Sequence, residues 1–378
     1  MAVQPVSKSA SVLFFAILIA FCKPGPGPKP VPESSIPDGI ILVIGDGMGL
    51  SFISQASLES SSPLSLESMP IVGLQKTFSL TGSVTDSAAA ITAMTTGYKT
   101  YNGWLGLDGR GNSRPSLFST ASERGWNTAI LCTSSVTHAT PAGPLVHITD
   151  RGLDREIALQ IAKNPPNVLI GGGRMYFNAA IGESPHSILE NNGYEYHTEL
   201  PGSKKECSDL CDNAAAPLRY VALLADTHMA PALVRDSGDG SGSYKKDLKI
   251  PGSRGPILRE ISVRTIRTLL RRRTPFLVLI EGSQIDWGGH ENDARYAMNE
   301  LLDLDRTIAA IREEIKGSNI LLIVTADHEV GGHAIMEGTP GKPQSSAFLT
   351  HHHTGTMVPV FAEGPGAVAF SGIYDNTE

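Results

Sequence analysis

Gly39-Ile40-Ile41-Leu42-Val43-Ile44-Gly45-Asp46-Gly47-Met48-Gly49 is the stretch on which the fold turns. Its unbroken run of β-branched and leucine side chains, with no polar alternation, marks a strand buried on both faces, as in a parallel sheet covered by helices. The strand empties into a glycine turn that carries one carboxylate, Asp46. Comparable runs recur at Thr128 to Cys132, Asn167 to Ile170, Tyr220 to Leu224, Phe276 to Ile280 and Asn319 to Val324. Between them, apolar residues at helical spacing predict amphipathic helices: Leu153, Ile157 and Ile161; Leu258, Ile261 and Leu269; Leu301, Leu304, Ile308, Ile311 and Ile315. Strand and helix alternate, which predicts an α/β fold, a three-layer α/β/α sandwich around a mostly parallel central sheet.

Composition limits the function classes. With 378 residues, 41% hydrophobic and 18% charged, the chain can bury a substantial core and is neither disordered nor a multi-span membrane protein. A net charge of −7 argues against a nucleic-acid-binding surface. Arg259, Arg264, Arg267, Arg271, Arg272 and Arg273 crowd one predicted helix, and in an acidic chain they read as a solvated face.

Lys8 followed by the apolar run from Val12 to Cys22 reads as a signal peptide over residues 1–22, because the run is too short to span a bilayer. The protein is therefore expected to be exported, either periplasmic or secreted. Ile19-Ala20-Phe21-Cys22 partly resembles a lipobox, from which Phe21 departs, so membrane attachment is expected only through a lipid on Cys22. Residues 23–37, rich in proline and glycine, read as a linker. Residues 38–378 then form a single domain, with a variable connecting region at about 174–256 that is rich in Gly, Ser and Lys from Ser237 to Gly255. Cys207 and Cys211 could close a small disulfide in an oxidising compartment, and Cys132 reads as a buried, inert thiol.

In open α/β sheets, ligands bind beyond the carboxyl ends of the strands. Chemistry-bearing residues gather there: Asp46 after the first strand, His138 and Thr140 after the second, Glu281, Asp286 and His290 after the run at 276–280, and Asp327 and His328 after the last. Each has an ordinary explanation taken singly. Asp46 could cap a helix, Asp327 and His328 could form a salt-bridged loop, and His351-His352-His353 could be a solvated turn. Gly45, Gly47 and Gly49 give G-x-G-x-G, not the dinucleotide spacing G-x-G-x-x-G. Taken together, Asp46, Asp286, His290, Asp327, His328 and His353 supply the oxygen and imidazole ligands that zinc accepts, enough for two ions. Ser87 heads a run of small helix formers in Thr85-Asp86-Ser87-Ala88-Ala89-Ala90, where a helix N-terminus favours an anion. Alone it would be a helix cap; beside metals it becomes a candidate nucleophile.

Six ordered motifs resemble those of the alkaline phosphatases. They are Ile44-Gly45-Asp46-Gly47-Met48-Gly49, Thr85-Asp86-Ser87-Ala88-Ala89, His138-Ala139-Thr140-Pro141, Glu281-Gly282-Ser283-Gln284-Ile285-Asp286, Thr325-Ala326-Asp327-His328-Glu329 and His353-Thr354-Gly355. The resemblance implies a phosphate-monoester hydrolase acting on small-molecule phosphomonoesters through a phosphoserine on Ser87. It implies one zinc on Asp286, His290 and His353, a second on Asp46, Asp327 and His328, and a magnesium on the oxygens of Asp46, Thr140 and Glu281. Arg151 falls where the family places its phosphate-clamping arginine.

His138 and Trp287 replace the Asp and Lys of the best-studied bacterial type and resemble a cold-adapted marine branch. Trp287 is then a substrate-binding residue with a weaker hold on phosphate than an ammonium has, and His138 an additional metal-site residue that could favour zinc. The family also implies a homodimer. The short interval between His328 and His353 leaves little room for the inserted crown of longer relatives. Two other readings stay open: an exported zinc- or phosphate-binding protein without turnover, and a phosphodiesterase of the same superfamily, although those usually carry Thr at the Ser87 position. The Cys/Ser-x-Pro-x-Arg context of sulfatases is absent around Ser87.

Overall fold

A computed structural model describes residues 36–178, 184–200, 217–232 and 254–378. The expected signal peptide with Cys22, nearly all of the linker, the pair Cys207 and Cys211, and most of the stretch from Ser237 to Gly255 lie outside the described residues.

The strands are β1 (Gly39–Gly45), β2 (Ile71–Lys76), β3 (Asn127–Ser135), β4 (Val168–Gly172), β5 (Glu195–His197), β6 (Tyr220–Leu223), β7 (Phe276–Gly282), β8 (Ile320–Thr325), β9 (Glu329–Val330), β10 (Ala334–Glu337), β11 (Ser345–Ala347), β12 (His353–Thr354), β13 (Val358–Glu363) and β14 (Gly372–Asp375). Ten of them form one sheet in the order β14-β2-β13-β8-β1-β7-β3-β4-β6-β5. Only β13 runs antiparallel to its neighbours there. The helices are α1 (Leu50–Glu59), α2 (Ser87–Thr96), α3 (Leu117–Glu123), α4 (Ala139–Ala142), α5 (Asp154–Lys163), α6 (Arg174–Phe177), α7 (Pro185–Asn191), α8 (Ile257–Arg272), α9 (Ile285–His290) and α10 (Ala294–Glu314).

Alternate residues of the central strand β1 feed two cores. Ile41 and Val43 pack with Phe52 of α1, Ile261 of α8 and Leu304 of α10. Ile44 packs on the other face with Ile91 of α2, Phe118 of α3 and Ile157 of α5. The three expected layers are present, and the six expected strands are β1, β3, β4, β6, β7 and β8. The helical patterns fall on α5, α8 and α10.

The sheet extends beyond that frame through β13, β2 and β14 on one side and the short edge strand β5 on the other, none of which the sequence reading found. Their local signals are weak for physical reasons. Pro359 inside β13 lacks the ladder donor, Gly73 interrupts β2, and β14 is a short edge strand. The arginine-rich face of α8 also departs from expectation. Arg259, Arg271 and Arg273 are exposed, but Arg264 is buried against Glu260 at 2.7 Å and Arg267 pairs with Glu314 of α10 at 2.7 Å. Cys132 is a buried free thiol, as expected.

A buried ion cluster ties the connecting region to α10: Arg254 reaches Glu300 at 2.7 Å and Asp303 at 2.6 Å, and the Ala232 N–H donates to Glu300 at 2.7 Å. Among the described residues, no helix is long and apolar enough to cross a membrane.

Candidate active site

The turn after β1 is built for close approach. Gly47 has φ of +71°, and a Cβ there would stand 2.7 Å from Val330 Cγ1 and 2.8 Å from the Asp286 backbone. Glycine thus lets the Asp46 turn lie against α9, and the Gly47 N–H donates to Asp327 Oδ1 at 3.0 Å. At α2, Asp86 is the cap, accepting from the Ala89 N–H at 2.9 Å. Ser87 is therefore the first residue inside the helix, and its hydroxyl is not consumed by capping. Ser87 Oγ lies 3.2 Å from His328 Nε2.

Three groups of ligand-type side chains converge at the carboxyl edge of the sheet: Asp286, His290 and His353; Asp46, Asp327 and His328; and Asp46, His138 and Glu281. In the first, Asp286 is 3.3 Å from both His290 Nε2 and His353 Nε2, which are 3.0 Å from each other. In the second, His328 Nε2 is 3.1 Å from Asp327 Oδ2 and 3.5 Å from Asp46 Oδ1. The first two groups adjoin, because the rings of His328 and His353 stack with centroids 3.5 Å apart. Thr140 on α4 has a buried hydroxyl without a hydrogen-bond partner among the described residues. Glu281 accepts from Ser134 Oγ at 3.0 Å and from Ser283 Oγ at 2.5 Å through one oxygen, which leaves the other unpaired.

The electrostatics show what such crowding costs without a cation. Burial, followed by the charges of Asp327, Asp286 and Glu281, pushes the Asp46 carboxyl well above its usual range. Burial lifts Glu281 to about 7. Burial works to raise Asp286 as well, but hydrogen bonds with His290 and His353 outweigh it and hold that carboxyl far below normal. The bond to Asp286 in turn lifts His290 to about 9. At Asp327, burial is overcome by the charge and hydrogen bond of His328, which bring it to about 2. Burial, and then Arg151, lower His138 to about 3, so that imidazole is neutral at pH 7.

Arg151 bridges the serine turn and the third group. Its Nη1 is 3.1 Å from Asp86 Oδ2, and its Nη2 is 3.0 Å from His138 Nε2. Asp86 thus both caps α2 and aims the guanidinium, a role missed in the sequence although the residue precedes Ser87. Two backbone carbonyls were also missed. Thr85 O takes His353 Nδ1 at 2.9 Å and His351 O takes His290 Nδ1 at 2.5 Å. Each leaves Nε2 facing the cluster. A carbonyl has no residue-type signature, so no sequence signal points to it. Trp287, on α9, stands at the rim, where its ring faces those of His138 at 6.4 Å and His228 at 4.7 Å.

Residues 38–349 match the family model described as alkaline phosphatase. The chain belongs to the alkaline phosphatase family. Alkaline phosphatase 4 of Bacillus subtilis (strain 168) is 29% identical, over 90% of this chain and 86% of its own length. Streptomycin-6-phosphate phosphatase of Streptomyces griseus is 30% identical, over 92% of this chain and 89% of its own. The solved alkaline phosphatase of the Antarctic bacterium TAB5 is 33% identical, covers 90% of this chain and 95% of its own, and superposes with a TM-score of 0.79. A variant of that enzyme with a histidine replaced by glutamate carries Mg in its M3 site. The family's enzymes are phosphatases, and this member has the family's mostly parallel sheet with flanking helices.

Proposed function

We propose that the chain hydrolyses phosphate monoesters through a phosphoserine on Ser87, with two zinc ions and one magnesium. One observation carries the reading. Around the Ser87 hydroxyl, both oxygens of Asp46, one oxygen of Glu281 and the Thr140 hydroxyl are buried without hydrogen-bond partners among the described residues, and Asp286 and the outer oxygen of Asp327 meet only imidazole nitrogens, at 3.1 to 3.3 Å. Buried polar groups are normally satisfied, and this many orphaned acceptors in one place fit cations.

Asp286, His290 and His353 would hold one zinc, and Asp46, Asp327 and His328 the other. Asp46, Thr140 and Glu281 offer oxygens of the kind magnesium prefers. Arg151 is a pure donor, so His138 Nε2 accepts from it, and in the neutral ring the proton sits on Nδ1. That tautomer favours the oxygen set over an imidazole ligand at the third site. When bound, zinc supplies Lewis-acid stabilisation of the oxygens that attack and depart.

The chain's own residues do the rest. Ser87 Oγ loses its proton to solvent and attacks phosphorus in line, forming the phosphoserine as the phosphorus–oxygen bond to the alcohol breaks and the departing oxygen takes a proton from water. Its place at the start of α2 puts the helix N–H groups beside the growing charge. Arg151, already aimed by Asp86, grips two phosphoryl oxygens. Water then attacks the phosphoserine from the opposite side and releases phosphate, so the two displacements retain configuration. Trp287 supplies an uncharged wall. The sequence further supports an exported, periplasmic or secreted protein, with residues 38–378 as its catalytic domain.

The test is hydrolysis of a chromogenic aryl phosphate between pH 7 and 10, with chelator and then with zinc and magnesium added back. Turnover that chelation abolishes and metals restore is expected. Zinc binding without turnover would point to the non-catalytic alternative, and faster cleavage of a bis-aryl diester to a phosphodiesterase.

A further inference from the structure

The connecting region brings one residue to the rim of the site that no role above uses, His228. Its loop is fastened from several sides. The Met229 N–H donates to Thr133 O at 3.0 Å and the Met175 N–H to Asp226 O at 3.1 Å. Gln284 Nε2, just ahead of α9, donates to Met229 O at 2.9 Å. The loop also crosses Gly172 at the end of β4 so closely that a Cβ there would lie 2.0 Å from Thr227 O. His228 is thus held against β3, β4 and α9 together.

The ring's orientation and tautomer are set as well. The Ser135 N–H donates to His228 Nδ1 at 2.9 Å. A ring nitrogen that accepts carries no proton, so the neutral imidazole bears its proton on Nε2. His228 is exposed, and no hydrogen bond reaches Nε2 among the described residues. The ring lies edge-on to Trp287 at 4.7 Å and to His138 at 6.0 Å. His138 in turn takes the Arg151 guanidinium at 3.0 Å. A preset donor therefore stands one ring beyond the arginine that grips the phosphoryl group. Its ring contacts run toward that arginine, not toward His290 or His353.

We propose that His228 is a phosphoryl-binding residue, whose Nε2–H donates to an oxygen of the bound phosphoryl group across the face of Trp287. This assignment rests on the phosphomonoesterase reading above, and it extends the site into a part of the chain outside every family motif quoted earlier. It concerns the hold on the phosphoryl group and leaves the identity of the alcohol untouched.

The metal-loaded full-length protein tests it through two substitutions. His228→Asn keeps an acceptor for the Ser135 N–H but stops short of the Nε2 position; His228→Gln extends an amide N–H to it. In His228→Asn, the inhibition constant of inorganic phosphate and the KM values of an aryl and an alkyl phosphate should all rise by a similar factor, roughly three- to tenfold for one lost hydrogen bond. His228→Gln should recover most of that loss. The rise in thermal midpoint on adding inorganic phosphate should also be smaller in His228→Asn, a readout that survives a change in basal stability. A phosphate constant within about twofold of the parent overturns the proposal. So does a KM effect confined to one ester, and so does a Gln variant as impaired as the Asn variant. A parent protein without turnover would instead sink the phosphomonoesterase reading itself, whatever the variants do.

Discussion

Ser87 Oγ and His328 Nε2 stand 3.2 Å apart, both buried, and the same nitrogen faces Asp327 Oδ2 at 3.1 Å and Asp46 Oδ1 at 3.5 Å. The hydroxyl has no structural duty, because Asp86 caps α2 in its place. Ser87→Ala should therefore fold and keep its metals. Turnover of an aryl phosphate should fall by at least about a thousandfold, as when a nucleophile is removed from a unit that acts together. Metal content and kinetics on one preparation check this; near-normal kcat would take Ser87 out of the reaction.

Arg151 is aimed by Asp86 at 3.1 Å and met by His138 at 3.0 Å. A lysine cannot make both contacts and still present a planar fork to two phosphoryl oxygens. Arg151→Lys should raise KM and the phosphate inhibition constant by about tenfold, worth about 1.4 kcal/mol. Asp86→Asn should show a smaller shift of the same sign. Steady-state kinetics with phosphate as inhibitor measures both; a lysine variant with unchanged constants would mean that Arg151 does not clamp.

Metal uptake should depend on pH in a defined direction. Burial pushes Glu281 up to about 7, and the hydrogen bond to Asp286 pushes His290 up to about 9. Both must shed protons to ligate, so apparent affinity should climb as pH rises through that window and fall below it. Competition with a chromophoric chelator at pH 6, 7.5 and 9 reads this out. Flat affinity across that range would contradict the assigned ligands.

His333 gives a pH effect remote from the chemistry. It stacks on Phe52 with ring centroids 4.5 Å apart, neither nitrogen has a hydrogen-bond partner among the described residues, and burial lowers it from 6.5 to about 4. Between those values the unfolded chain binds a proton that the folded one refuses. Stability should therefore drop as pH falls through that window, with a slope approaching about 1.4 kcal/mol per unit. His333→Leu should remove this component, so its advantage over the parent grows on acidification. Denaturant midpoints at pH 7.5 and 5 for both proteins would reveal it, and a pH-independent difference would count against it.

Much of this architecture is legible in the chain itself, for identifiable reasons. A strand buried on both faces writes its burial into every residue, so β1, β3, β7 and β8 are plain in sequence. Ligands placed where such strands end, such as Asp46 and Asp327, inherit that clarity. The strands β2, β13 and β14 are hidden because Gly73 and Pro359 break the pattern that pairing alone restores. At the site, side chains such as His353 are visible, whereas the carbonyls of Thr85 and His351 that orient the rings belong to no residue type. His228 is illegible for another reason: its partners Ser135 and Trp287 are far away in the chain, and only the closed sheet brings them together.

The central strand sets a timetable. Gly39 of β1 lies opposite Phe276 on one side and Ile320 on the other, so the first strand to be made waits for two of the later ones. Contacts of such long range are slow to form, and a chain of this length passes through collapsed, incompletely packed states on the way. Until β8 has left the ribosome the polypeptide has little to lock into, and a thread in that condition can still be drawn through a narrow pore.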